Sequence, residues 1–209
     1  HLSAKLELYE TDYLLPSIGL SENEYASLCS LTGSIIHCAS DTSFAEKNRE
    51  RVMKSNVDNL KEILDLAAAA GVSSFHYIST AYAAGIDSDE ITEAPVSSEN
   101  FTNVYEESKA IAERIVSGRC SSESVPYTII RPSIVYGNSV TGRSLRFNAL
   151  YYPVMSLCMI RDIYLEDIKN RGGIKSAEAG IFINDDGRLH IPIRIYIPND
   201  GKINLIPVD

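Results

Sequence analysis

What the 209-residue sequence has little of already excludes several classes of protein. No apolar run approaches the ~18 residues that a membrane-spanning helix requires. Basic residues are in the minority, 19 against 28 acidic, and the resulting net charge of −9 argues against a partner with a phosphate backbone such as a nucleic acid. Cysteine is sparse: Cys29, Cys38, Cys120 and Cys158 lie far apart, with no C-x-x-C and no histidine at metal-ligand spacing, so no metal site is expected. At this length and density a disulfide framework is not expected either, and the compartment reads as reducing and cytoplasmic. Cys38 and Cys158 stand within apolar runs, where a reduced cysteine is expected to behave as a small hydrophobe. No two glycines are separated by one or two residues, so a phosphate-cradling G-x-G-x-x-G turn is not written in the chain. There is no internal repeat and no low-complexity segment. What remains, 44% hydrophobic and 22% charged residues, is ordinary globular composition.

Along the chain, strand and helix signals alternate. Residues 5–9 (KLELY) alternate polar and apolar side chains as a short strand does. Ser21 and Glu24 form a capping-box pair, which predicts a short helix running to about Cys29. Ser34 to Cys38 (SIIHC) reads as a buried parallel strand. From about Ala45 to Ala70 the pattern is helical, with Val52, Asn56, Leu60, Ile63, Leu64 and Ala67 near one face and Gly71 as the terminator. A strand is predicted over Ser74–Thr80, a helix over Thr102–Ser117 and a strand over Pro126–Arg131. This alternation predicts an α/β fold, a doubly wound parallel sheet of right-handed βαβ units.

After Gly142 the rhythm changes, which divides the chain into a sheet domain over residues 1–142 and a further region over residues 143–209. In the second region a helix is expected over Leu145–Ile160, another over Asp162–Asn170, and a late strand over residues 191–197. Phe147, Tyr151, Tyr152, Met155 and Met159 fall at helical spacing and are expected to pack on the core, with an acyl-chain tunnel as the alternative. His1 is not an initiator methionine, and residues 205–209 are an apolar run with no closing element. The expectation is therefore a longer protein continuing on both sides.

Tyr105 and Lys109 lie four apart on a predicted helix and share a face. Chance alone supplies about 0.5 such pairs in this composition, so the spacing by itself is weak. The order of the surrounding pieces adds to it. A strand ending Ile78-Ser79-Thr80 precedes the Tyr-Lys helix, and a strand running into Arg131-Pro132-Ser133-Ile134 follows it. Ligands of open parallel sheets bind outside the carboxyl ends of the strands, so these pieces are expected to converge on one crevice. His37 and His76 fall inside strands and are expected to be packed rather than catalytic.

These residues carry a family resemblance. Asp12 within LYETDY, IIHCAS at Ile35–Ser40, Ser55-Asn56-Val57, ISTAYAAG at Ile78–Gly85, YEESK at Tyr105–Lys109, RPSIVYG at Arg131–Gly137 and the terminal NLIPVD run nearly the whole chain in one order. Together they resemble an extended short-chain dehydrogenase/reductase, most like the branch of fatty acyl-CoA reductases (male sterility proteins) and thioester reductase domains. The resemblance implies a Rossmann-like sheet, a nicotinamide cofactor (NADP, with NAD possible), and reduction of an acyl thioester carried by coenzyme A or an acyl-carrier protein to an aldehyde or alcohol. It implies that Tyr105 is the general acid, that Thr80 hydrogen-bonds the same carbonyl oxygen, and that Lys109 lowers the tyrosine pKa and holds the nicotinamide ribose. Asn56 matches a proton-relay asparagine; its plain alternative is an asparagine at a helix bend. On the cofactor side the resemblance implies Cys38, Ala39 and Ser40 along the adenosine, Pro132, Ser133 and Ile134 near the nicotinamide, and Asp12 at the adenine, although a lone aspartate there also fits a turn.

The family's glycine loop stands upstream of the segment that begins at His1. The resemblance therefore implies a sheet lacking its first βαβ unit and a chain that by itself binds the cofactor poorly. Two other readings stay open: a sugar-nucleotide epimerase or dehydratase of the same superfamily, and a non-catalytic Rossmann-like module that senses nucleotide. Ala81-Tyr82 after Thr80 departs from the Asp-Glu pair of the 4,6-dehydratases. The intact Thr80, Tyr105 and Lys109 argue against the sensor.

Overall fold

A computed structural model of the chain describes residues 6–87, 91–144, 151–194 and 205–209. The chain forms two compact units, His1–Ser133 and Ile134–Asp209. The change of sequence rhythm after Gly142 thus lies inside the second unit rather than at the division.

In the first unit, helix α1 (Glu22–Leu31) precedes strand β1 (Ser34–His37); α2 (Arg49–Met53) and α3 (Leu60–Ala70) lead to β2 (Ser74–Ile78), and α4 (Val104–Ser122) leads to β3 (Tyr127–Ile130). The three strands form one parallel sheet in the order β1-β2-β3, with Ser34 opposite Ser74 and Phe75 opposite Tyr127. Parallel neighbours need crossovers of a dozen residues or more, and helices supply both, giving a Rossmann-like α/β arrangement. Strand alternation sends Ile35, Phe75, Tyr77 and Ile129 to one face, where they meet Leu60, Ile63, Leu64 and Ala67 of α3 and Ala112 and Val116 of α4. The core lies on that face, while Ile36 and Ile130 on the other are exposed.

Local chemistry sets the boundaries. The Ser21 hydroxyl accepts from the Glu24 amide and the Glu24 carboxylate accepts from the Ser21 amide, so the predicted capping box forms and starts α1. Gly71 closes α3 in the left-handed region at φ 59°, a conformation that costs a residue without Cβ nothing. The long helix expected over residues 45–70 is interrupted. A 3-10 turn (Glu46–Asn48) precedes α2, and a π-turn (Lys54–Asp58) carrying the buried Asn56 separates α2 from α3. Residues 6–9 form no strand: alternation marks a strand only where a neighbour accepts its ladder, and none of the described strands pairs with this segment. Cys38 also departs from expectation, being exposed just past the end of β1, whereas Cys120, on the last turns of α4, is buried.

His37 is packed as expected. Its ring stacks on Tyr77 at 5.9 Å and meets Tyr13 edge-on at 6.3 Å. Burial, helped by the charge of Lys109, pushes its pKa down to about 4. The unfolded chain takes up a proton near pH 6.5 that the folded chain refuses until about pH 4. This contribution to stability is complete above pH 6.5 and is lost as the pH falls through that window, on the order of 3 kcal/mol in all. Denaturant titrations between pH 7 and 4 should show this slope, and His37→Phe should flatten it.

In the second unit, β4 (Ile134–Tyr136) pairs in parallel with β7 (Leu205–Pro207), and β5 (Phe182–Ile183) pairs antiparallel with β6 (Leu189–His190). Helix α5 (Tyr151–Asn170) is one continuous helix across Arg161, where the sequence suggests two. The Ser176 amide and hydroxyl both donate to Asp167, at 2.9 and 2.7 Å, which ties α6 (Ile174–Glu178) to the end of α5. Tyr152, Met155 and Met159 are exposed rather than packed on a core, as is Cys158; Phe147 lies outside the described residues. Of the late strand expected over 191–197, residues 191–194 have no strand conformation and the rest lie outside the described residues. No described helix is long and apolar enough to cross a membrane.

Candidate active site

The carboxyl ends of β1 and β2 and the first turns of α4 build one side-chain cluster in the first unit. Thr80 follows β2 in extended conformation (φ −155°, ψ 152°) and accepts from the Tyr82 amide at 3.3 Å. On α4, started by Asn103 accepting from the Glu106 amide, Tyr105 and Lys109 stand one turn apart. The Tyr105 hydroxyl lies near enough to the Thr80 hydroxyl for Thr80 to act on its titration. Lys109, only 2% exposed, donates from Nζ to the Ile78 carbonyl at 2.8 Å and to Tyr77 Oη at 3.1 Å. Three residues chosen from sequence therefore meet at one strand end, as the topology of open parallel sheets requires.

The electrostatics differ in part from expectation. Burial raises the pKa of Tyr105 and Thr80 pulls it down. Lys109 acts elsewhere: its ammonium turns to the β2 side, where desolvation lowers its pKa to about 8 against the favourable charges of Glu113 and Cys38. Lys109 is not among the groups that shift the Tyr105 pKa here, which burial raises on balance.

Asn56 does not touch the Tyr105 hydroxyl or Lys109. Its Oδ1 accepts from the Ser40 hydroxyl (3.1 Å) and the Asp41 amide (2.7 Å), and its Nδ2 donates to the Asp41 carbonyl and to Ser108 Oγ, both at 2.9 Å. Ser108 in turn donates to the Tyr105 carbonyl at 2.8 Å. Both amide hydrogens are engaged, so the side chain ties the loop after β1 to the Tyr-Lys turn and has no donor left for a proton relay.

Of the expected cofactor residues, Cys38 and Ala39 are exposed at the end of β1 and Ser40 is held by Asn56. The Pro132 carbonyl accepts from the Ala81 amide at 3.0 Å, which joins the exit of β3 to the turn after Thr80. Ser133 closes the first unit and Ile134 opens β4 in the second. Asp12 is a turn residue: its Oδ1 accepts from the Leu14 amide at 2.9 Å, the plain alternative that the sequence allows.

Three groups beside the cluster escape sequence reasoning. Phe44, half-exposed, stacks on Tyr105 at 5.5 Å and meets the half-exposed Tyr82 edge-on at 6.4 Å. Arg131 forms a bidentate ion pair with the buried Glu113 and donates to the carbonyls of Thr92 and Ala94. Asp87 accepts from Asn100 Nδ2, Ser98 Oγ and the amides of Glu99 and Asn100, and these hydrogen bonds, the first foremost, hold its pKa at about 2. Phe44 and Asp87 lie outside any local motif, Arg131 heads the RPSIVYG run with no sign there of its partner, and only the tertiary fold brings the partners of each together.

Gly85 permits the last of these closures. It adopts φ +70°, and a Cβ there would stand 2.0 Å from Ser98 Oγ and 2.6 Å from the Asn100 carbonyl. Gly85→Ala should therefore open the 86–100 connection at a cost of about 3 kcal/mol, read by chemical denaturation and by new proteolytic cleavage between Ile86 and Asn100.

Residues 1–176 match the male sterility protein family. The chain belongs to that family. It is 30% identical over 155 residues, 72% of its length, to the hybrid PKS-NRPS synthetase LUC5 of a Fusarium species, and 32% identical over 155 residues to the polyketide synthase-nonribosomal peptide synthetase ffsA of Aspergillus flavipes. It spans 4% of the length of each. Among solved structures it is similar to the terminal R domain from the myxalamid PKS-NRPS biosynthetic pathway, with a TM-score of 0.60 and 29% identity, covering 68% of this chain and 36% of that one. A UDP-galactose 4-epimerase aligns with a TM-score of 0.54 at 22% identity, covering 73% of this chain and 48% of that one, which shows a shared fold.

For a male sterility family member, an extended short-chain dehydrogenase/reductase, the donor set fits one half of a nicotinamide dinucleotide. An ammonium with two of its three hydrogens engaged, a phenol and a threonine hydroxyl suit the ribose and a reacting carbonyl. No glycine-rich turn to cradle the pyrophosphate occurs among the described residues.

Proposed function

We propose that this chain carries the proton-donating half of an NAD(P)H-dependent reductase of acyl thioesters, with the acyl group held on a carrier protein or coenzyme A. The observation that carries the reading is the convergence of Thr80, at the carboxyl end of β2, with Tyr105 and the buried Lys109, one helical turn apart on α4. The bound cofactor, NADPH on this reading with NADH as the alternative, supplies the hydride. Tyr105, whose burial keeps the phenol protonated at neutral pH, gives its proton to the thioester carbonyl oxygen. Thr80 donates to the same oxygen as charge develops there, a preorganised donor. Lys109 holds the cofactor ribose. The product pair is an aldehyde and a free thiol, and a second reduction would give the alcohol. Similarity to PKS-NRPS synthetases and to a terminal R domain supports a carrier-bound substrate.

The test is a comparison of substrates on the protein. An acyl thioester with NADPH should yield aldehyde or alcohol together with titratable thiol. A UDP-sugar incubated with NAD should be returned unchanged; an epimer there, with no thioester consumed, would overturn the reading.

A further inference from the structure

We infer that Tyr77 is a positioning residue for Lys109, which sets the ammonium in place from beneath and keeps it charged. The inference rests on the proposed role of Lys109 toward the cofactor ribose. Tyr77 is 1% exposed in the middle of the parallel sheet, and its hydroxyl accepts from Lys109 Nζ at 3.1 Å. The same Nζ stands 4.6 Å from the centroid of the Tyr77 ring, so hydroxyl and π-face act on one cation. The ring is also braced by His37 at 5.9 Å, nearly parallel at 12°, and His37 meets Tyr13 edge-on. The result is a chain of contacts, Tyr13–His37–Tyr77–Lys109, running from a surface turn to the site.

A buried lysine is expensive to keep charged, because its ammonium loses hydration that only acceptors can replace. Here the replacements are two, the Ile78 carbonyl and the Tyr77 hydroxyl. The carbonyl is fixed by the strand and would be present with any side chain at position 77. The hydroxyl is the contribution specific to this residue. The titratable groups around the ammonium are few. Glu113 on α4 and Cys38 after β1 favour the charge, desolvation opposes it, and His37 is neutral above about pH 4. Tyr105 also acts on the Tyr77 hydroxyl. With Glu113 already committed to Arg131, the Tyr77 hydroxyl is the neutral acceptor whose removal leaves a donor of the cation unmatched.

The experiment measures NADPH affinity by equilibrium fluorescence titration of the protein across pH 6 to 10, with kcat and KM profiles on the same preparations. In the wild type, affinity should weaken as the pH rises through about 8, where Lys109 loses its proton, and Lys109→Met should abolish that transition. Tyr77→Phe keeps the ring, the stack and the cation–π contact and removes only the hydroxyl. It should move the transition down by about one pH unit, since a hydrogen bond to a charged group is worth about that much. Affinity at pH 8.5 should then fall several-fold, with little loss at pH 6. His37→Phe, which alters the brace and leaves the Lys109–Tyr77 bond, should not move the transition. Circular dichroism and the thermal midpoint confirm that each variant is folded. A Tyr77→Phe transition at the wild-type pH, with or without a uniform loss of affinity, overturns the positioning role while leaving the reductase reading intact. These titrations use the full-length protein, because the chain by itself is expected to bind the cofactor poorly, and a wild-type full-length protein that does not bind NADPH overturns the reading itself, and the positioning role with it.

Discussion

Tyr105→Phe should lower thioester reduction by about a thousandfold while leaving NADPH affinity essentially unchanged. The substitution removes one oxygen atom and keeps the ring, so the stack with Phe44 persists and the cluster stays packed. What is lost is the proton delivered to the carbonyl oxygen, for which water in a half-closed site is a poor substitute. Thr80→Val should cost about a hundredfold by removing the second donor to that oxygen. Because both groups serve one oxygen, the double variant should be little slower than Tyr105→Phe alone. Steady-state kinetics on the three variants check this. Multiplicative losses would show that the two hydroxyls act on different atoms.

Arg131→Met should be the most destabilising single change in the first unit, by about 3–5 kcal/mol, with a fall in Tm on the order of 10 °C. Glu113 is 3% exposed, and without Arg131 its carboxylate is a buried charge with no counter-ion of comparable geometry. Arg131 also donates to the carbonyls of Thr92 and Ala94, so the connection after β2 loses its anchor on α4 as well. The double change Arg131→Met with Glu113→Leu should recover much of the stability, since removing both charges together restores a neutral interior. Calorimetry on the single and double variants decides the matter; equal losses in both would assign the effect to packing rather than to charge.

The parts of the fold that local chemistry dictates are legible in the sequence. The Ser21–Glu24 box, the Gly71 terminator and the alternating strands 34–38 and 74–80 each follow from a few adjacent residues. The apolar stripe from Val52 to Ala67 reads equally well as one long helix, because its period survives the π-turn around Asn56. The turn becomes visible only when Asn56 is seen bonding Ser40, Asp41 and Ser108 from three segments. The break expected near Arg161 does not occur because an exposed Arg-Asp pair is compatible with a continuous helix. At residues 6–9 the alternation is present but the partner strand is not.

The site divides in the same way. Thr80, Tyr105 and Lys109 are legible because topology brings strand ends and the following helix to one crevice, whichever side chains occupy the core. Tyr77 is not legible as more than a core aromatic, since its position in the strand predicts burial and nothing about the ammonium above it. Phe44 lies in an irregular loop with no period to read. Asp12 is the converse case, a residue whose family position implied a ligand and whose carboxylate closes its own turn.

The central claim is that Tyr105, Thr80 and Lys109 serve hydride delivery to a thioester carbonyl. The most direct measurement is a single turnover of the protein with an acyl thioester and NADPH deuterated at the transferring position, followed by mass spectrometry of the product. The account predicts one deuterium on the carbonyl-derived carbon of the first-formed aldehyde, released together with one equivalent of thiol. Thiol release without deuterium in the product would mean hydrolysis, and would contradict the account.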